Sequence, residues 1–127
     1  MKANEYQKLA MRTNDKGNVK RLVRVVENCE LFNQPDIGGV LNASLGLSGE
    51  VGEFNDMIKK WIFHEKPLDM IHAKKEMGDI LWYIALMCDS FGWDIEDVMK
   101  LNIEKLKNRY PAGFDTTLAN NRKDGDV

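Results

Sequence analysis

Two short blocks of the chain carry acids at matching positions: Glu50-Val51-Gly52-Glu53 and Glu76-Met77-Gly78-Asp79. In each block the carboxylates stand three residues apart. On a helix that spacing turns the second side chain roughly 60° from the first, so each pair leaves its helix in nearly one direction. Every acid directly precedes an apolar residue (Val51, Phe54, Met77, Ile80), which sets it on the shoulder of the buried face. If the two helices form an antiparallel hairpin, the four carboxylates converge. Four anions beside a core raise one another's pKa and oppose folding unless a cation neutralises them. A hard divalent ion does this with oxygen ligands, and Mg²⁺, which keeps some of its waters, suits a partly open cluster. No Cys and His cluster points to zinc. A lone ExxE in a chain with 30% charged residues is ordinary helix surface, whereas two pairs sharing an internal glycine are not. Gly52 and Gly78 each cost about 1 kcal/mol relative to Ala inside a helix, and a close helix crossing beside the metals would account for them.

Extending the stripes adds candidates. Helical steps from Glu50 and Glu53 reach Met57 and Lys60; a step from Asp79 reaches Tyr83. On a later helix, Val98, Asn102, Lys105 and Arg109 share a stripe beside Ile103 and Leu106. An amide and cations so arranged can hold a phosphate chain, Arg through forked hydrogen bonds and Lys as a point charge. Equally, Lys105 and Arg109 can offset the helix dipole at a C-terminus. Trp61, Trp82 and Trp93 could stack on a base, but their expected place is the core or a subunit interface. His64 and His72, which flank the loop between the acid helices, are expected in loop or surface roles.

The elements that must position these residues are helical, and the fold class is all-α. A short helix spans about Asn4 to Met11 and is followed by a turn at residues 14–18. Leu22, Val25, Val26 and Cys29 recur at helical spacing, and residues 33–39 read as a loop. A strong helix runs from about Val40 to Phe63, with Leu47, Val51, Phe54, Ile58 and Ile62 facing a core. Pro67 helps to break it, and Asp69 caps the next helix, which carries Met77, Ile80, Leu81, Ile84, Cys88 and Phe91 on one face and stops near Gly92. Another begins at Asp94, where Asp97 resembles the partner in a capping box, and continues to Tyr110 before Pro111. The expected architecture is a bundle of four to five helices with a carboxylate metal site between the two central ones. One all-α domain spans residues 1–114, and a polar tail, 115–127, is expected to be mobile.

Composition bounds the function. A chain of 127 residues and 14.6 kDa supports one core, and 43% hydrophobic residues suffice to build it. A net charge of −2 argues against binding a nucleic-acid backbone. No apolar run approaches the ~20 residues that cross a bilayer, and MKANEYQKLA lacks the apolar stretch of a signal peptide, so a cytoplasmic protein without membrane contact is expected. Cys29 and Cys88 read as reduced core thiols.

The acid pairs, together with Glu104-Lys105-Leu106-Lys107-Asn108-Arg109-Tyr110-Pro111-Ala112-Gly113-Phe114, resemble the MazG-type nucleoside triphosphate pyrophosphohydrolases. The runs from Leu45 to Glu53 and from Gly78 to Tyr83 are similar in particular to the small MazG-like proteins of bacteria and phages. The resemblance covers about Glu5 to Phe114. It implies an all-α homodimer or homotetramer that hydrolyses an NTP or dNTP to the monophosphate and pyrophosphate with Mg²⁺, Mn²⁺ being able to substitute. It further implies that Glu50, Glu53, Glu76 and Asp79 are the catalytic metal ligands, that Lys105 and Arg109 contact phosphate, and that Tyr83 contacts nucleotide. Lys60 and Asn102 join the substrate-binding set from their stripes alone. The expected reaction is in-line attack at the α-phosphorus, with Glu50 or Glu53 as a candidate general base. Two alternatives stand beside it: a related pyrophosphohydrolase acting on another phosphorylated substrate such as a phosphoribosyl-ATP, and a non-enzymatic helical interaction module with a structural metal.

Overall fold

Four aspartates open four of the helices. Asp36, Asp69, Asp94 and Asp115 each sit in extended backbone and accept a hydrogen bond from a backbone N–H two or three residues on, satisfying a donor that the helix itself cannot. The resulting order, in a computed structural model that describes residues 2–33 and 35–121, is α1 (Ala3–Ala10), a 3₁₀ turn (Met11–Thr13), α2 (Asn18–Phe32), α3 (Ile37–Phe63), α4 (Met70–Phe91), α5 (Ile95–Arg109) and α6 (Thr116–Asn120). No strand occurs among the described residues. Gly92 ends α4 in the left-handed region at φ 67°, and the N–H groups of Gly92 and Trp93 donate back to Asp89 and Cys88. The polar stretch after Phe114, expected to be mobile, begins with α6; its remainder, 122–127, lies outside the described residues.

Helices α3 and α4 pack along their length as an antiparallel hairpin, the one extensive helix pair among the described residues. Small residues make the seam. A Cβ on Gly39 would fall 2.2 Å from Ser90 Oγ, and one on Gly46 would fall 2.1 Å from the Tyr83 ring, so both positions need glycine at this separation. Ala43, between them, is completely buried. The Asp36 N–H donates to the Ser90 carbonyl at 2.9 Å and ties the start of α3 to the end of α4. With Gly39 against Ser90 and Gly46 against Tyr83, the antiparallel register sets Glu50 level with Asp79 and Glu53 level with Glu76.

Several expectations need correction. The helix expected from Val40 starts at Ile37: the loop-like Gly38-Gly39 is helix, because Asp36 caps it through the Gly39 N–H at 3.0 Å and Gly39 is a packing residue. Gly52 and Gly78 do not mark the close crossing, since a Cβ on either meets nothing within 4 Å. The stripes are only partly covered. Leu47, Phe54, Ile58, Ile80, Ile84 and Phe91 are half-buried and Cys88 is buried, but Val51, Ile62, Met77 and Leu81 are exposed. Both cysteines are free; Cys29 is half-buried rather than core.

Among the described residues the helices do not close into a bundle of four or five, since only α3 and α4 pack extensively. Among the described residues Ala43 and Cys88 are the buried apolar ones, and Trp61, Trp82 and Trp93, expected in a core or an interface, are each about half exposed. On α5 the apolar residues Val98, Met99, Leu101, Ile103 and Leu106 are all exposed. Total accessible surface is 10887 Å², against roughly 6,900 Å² for a compact chain of this mass. No helix is long and apolar enough to cross a membrane.

Candidate active site

The hairpin seam that runs through Gly39, Ala43 and Gly46 continues into acids. Glu50 is half-buried, Glu76 is buried, and Glu53 and Asp79 are exposed. Oxygens of Glu50, Glu76 and Asp79 all lie within 4.8 Å of one another. Glu53 stands beside this trio and lines a cavity of about 550 Å³ together with Gly49, Gly52, Met57, Lys60, Trp61, His72 and Glu76. The acids thus sit in the seam as well as on its shoulder. A 3.6-residue period places a residue to within a side chain's width, and only the packed partner decides which acid is covered.

Electrostatics reports the crowding. Burial pushes the Glu50 carboxyl above its ordinary value of 4.5, and the neighbouring charges of Glu53, Asp79 and Glu76 push the same way. Glu76 has a more specific condition. Its Oε2 is fully buried and has no hydrogen-bond partner among the described residues, while Oε1 lies 2.8 Å from His72 Nε2. An orphaned buried carboxylate oxygen costs free energy unless something positive meets it. Two further carboxylates within reach make an all-oxygen donor set that fits a hard divalent cation.

The remaining candidates divide into two groups. Lys60 lines the cavity beside the acids, where it pairs with Asp56; Lys59 joins the same carboxylate at 2.7 Å, and the two ammonium groups hold Asp56 at a pKa of about 2. Tyr83 packs its half-buried ring over Gly46, one turn from Asp79, with Trp82 against its edge at a centroid distance of 4.9 Å. Asn102 and Lys105 lie elsewhere. They line a second depression of about 580 Å³ with Trp93, Asp94, Val98 and Leu101, at the elbow between α4 and α5. Arg109 is half-buried at the last turn of α5. Helix α5 does not pack along the hairpin, so these three do not meet the carboxylates within the chain.

His72, expected in a loop or surface role, is exposed but also reaches the buried Glu76, a contact its assignment did not include. Asp69 accepts hydrogen bonds from the N–H groups of Ile71 and His72 at 3.0 and 2.9 Å, which fixes His72 in the first turn of α4. Its place four residues before Glu76 on one helix was the available signal. His64 ends α3 and does lie in the loop region.

Residues 40–114 match the model of the MazG nucleotide pyrophosphohydrolase domain, and the chain belongs to that family. Membership implies pyrophosphohydrolase activity on a nucleotide, in a family whose enzymes depend on a divalent metal. The chain is similar to the Gene 37 protein of Mycobacterium phage L5, at 28% identity over 92 residues, 68% of this chain and 79% of the relative. It is also similar, at 47% identity over 36 residues, to the uncharacterized protein YvdC of Bacillus subtilis strain 168, over 28% of this chain and 34% of that one. No solved structure matches.

Proposed function

We propose that the protein is a Mg²⁺-dependent nucleoside triphosphate pyrophosphohydrolase, cleaving an NTP or dNTP at the α-phosphorus to the monophosphate and pyrophosphate. The observation that carries this reading is the convergence of Glu50, Glu76 and Asp79 on one point, with a buried Glu76 oxygen left unpaired, in a chain of the MazG family. Glu50, Glu76 and Asp79 would hold the ion, with Glu53 at the edge of the same cavity. A divalent ion bound there supplies positive charge for phosphate oxygens and acidifies a coordinated water. Glu53, exposed and beside the trio, would accept a proton from an attacking water, and Lys60 can leave Asp56 to meet phosphate. The cavity next to the acids, walled by Trp61 and floored by Gly49 and Gly52, offers a nucleotide an apolar face and space where a side chain would intrude.

Asn102, Lys105 and Arg109 complete the site from a second copy. The exposed apolar residues of α5 supply the chemistry of a homodimer or homotetramer interface. The assembly acts in the cytoplasm, where its nucleotide substrates are.

The test is pyrophosphate release from a panel of common and damaged NTPs and dNTPs, with and without Mg²⁺, for wild type and Glu53→Gln. Metal-dependent release with monophosphate as co-product, lost in the variant, is the expected result. Silence on the panel with turnover of a phosphoribosyl-ATP would move the substrate, and silence on both would leave a metal-binding interaction module.

A further inference from the structure

A polar side chain outside the acid set meets the buried acid. His72 Nε2 lies 2.8 Å from Glu76 Oε1, and the two residues differ sharply in environment: the Glu76 side chain is 9% exposed, the imidazole 57%. On an open helix surface such an i,i+4 pair is worth only a few tenths of a kcal/mol. Here the acceptor is withdrawn from water and its second oxygen has no partner, so the contact sets where the carboxylate points. The backbone that carries the imidazole is fixed, because the main-chain N–H of His72 donates to the Asp69 cap at 2.9 Å. The ring itself is held by its contact with Glu76.

We infer that His72 is a positioning residue: by donating from Nε2 to Glu76 Oε1 it fixes the buried carboxylate with Oε2 as the oxygen left for a divalent cation, and so sets the metal affinity of the site. This rests on the proposed function only in taking Glu50, Glu76 and Asp79 as the cation site. Both the neutral Nε2–H tautomer and the imidazolium carry the required proton, so the role does not depend on titration. A donor that orients a ligating carboxylate matters to affinity on a characteristic scale, about 10- to 100-fold.

The experiment titrates Mn²⁺ into the nucleotide-free, full-length protein, reads free Mn²⁺ by electron paramagnetic resonance, and compares wild type with His72→Ala, His72→Gln and Glu76→Gln. Far-UV circular dichroism checks folding, and the exposed position of His72 in the first turn tolerates either change. Glutamine reaches about as far as histidine and carries an N–H at its tip. The expected result is a dissociation constant raised about tenfold or more in His72→Ala and restored to within about threefold of wild type in His72→Gln. The Mn²⁺ concentration for half-maximal pyrophosphate release shifts by the same factor. An unchanged affinity in His72→Ala, or equal loss in both His72 variants, overturns the inference. If Glu76→Gln alone weakens binding, the positioning role fails and the metal site stands; if Glu76→Gln has no effect, or wild type binds no Mn²⁺, both fail.

Discussion

Helices α3 and α4 share a pattern with α5: an aspartate cap, an apolar stripe, and charged residues at its edge. The first two bury much of that stripe against each other, whereas α5 leaves Met99 and Leu101 about two-thirds exposed. The difference lies in what each helix has opposite it. Gly39, Ala43 and Gly46 let α3 approach the backbone of α4 closely enough for Tyr83 and Ser90 to fill the gap. Helix α5 has bulky apolar residues and no facing seam among the described residues. A stripe shows that a helix has an apolar face, and only tertiary geometry shows what lies against it.

That contrast is breakable. If α5 acts across an interface, Lys105→Ala and Glu76→Gln are each impaired alone, Lys105→Ala by about 10- to 100-fold in kcat/KM for a lost charged hydrogen bond to phosphate. Refolded together, the two proteins recover measurable turnover, because a mixed assembly contains sites with both groups intact. No recovery would place α5 on its own hairpin.

The seam predicts a smaller, signed pair of effects. Gly46→Ala forces a methyl into the Tyr83 ring and lowers stability by about 1 to 3 kcal/mol. Gly78→Ala, facing open space, raises it by up to about 1 kcal/mol in chemical denaturation. A destabilising Gly78→Ala would mean that another chain lies against that position.

The smallest expected effect concerns the acids without metal. Because the folded chain raises the Glu50 pKa, through burial first and then Glu53, Asp79 and Glu76, it binds that proton more tightly than the unfolded chain does. The contribution to stability is therefore full below the ordinary value of 4.5 and is lost as pH rises through the raised value. Glu50→Gln accordingly melts higher than wild type at pH 7 in EDTA, and the gap narrows toward pH 4.

Much of this was readable before any coordinates. Asp69 and Gly92 bounded α4 because capping is local chemistry, and Glu50, Glu76 and Asp79, three of the four paired acids, came together because the period of a helix is rigid. Three things were not readable. Glycines at Gly38 and Gly39 look like loop until Ser90 is known to press against Gly39, and the same ignorance assigned the close crossing to Gly52 and Gly78. Which acid is buried depends on register, which placed Glu76 in the seam and left Glu53 outside it. His72 differed: its spacing to Glu76 was visible, but only a buried acceptor distinguishes that pair from an ordinary surface contact.

The most direct measurement is hydrolysis of the best nucleoside triphosphate in ¹⁸O-labelled water with Mg²⁺, reading the label by mass spectrometry in wild type and Glu76→Gln. The account predicts label in the monophosphate and none in pyrophosphate, with turnover lost by roughly a thousandfold or more in the variant, the several kcal/mol that a metal contributes to phosphoryl transfer. Label in pyrophosphate or in released phosphate, or a Glu76→Gln protein as active as wild type, would contradict it.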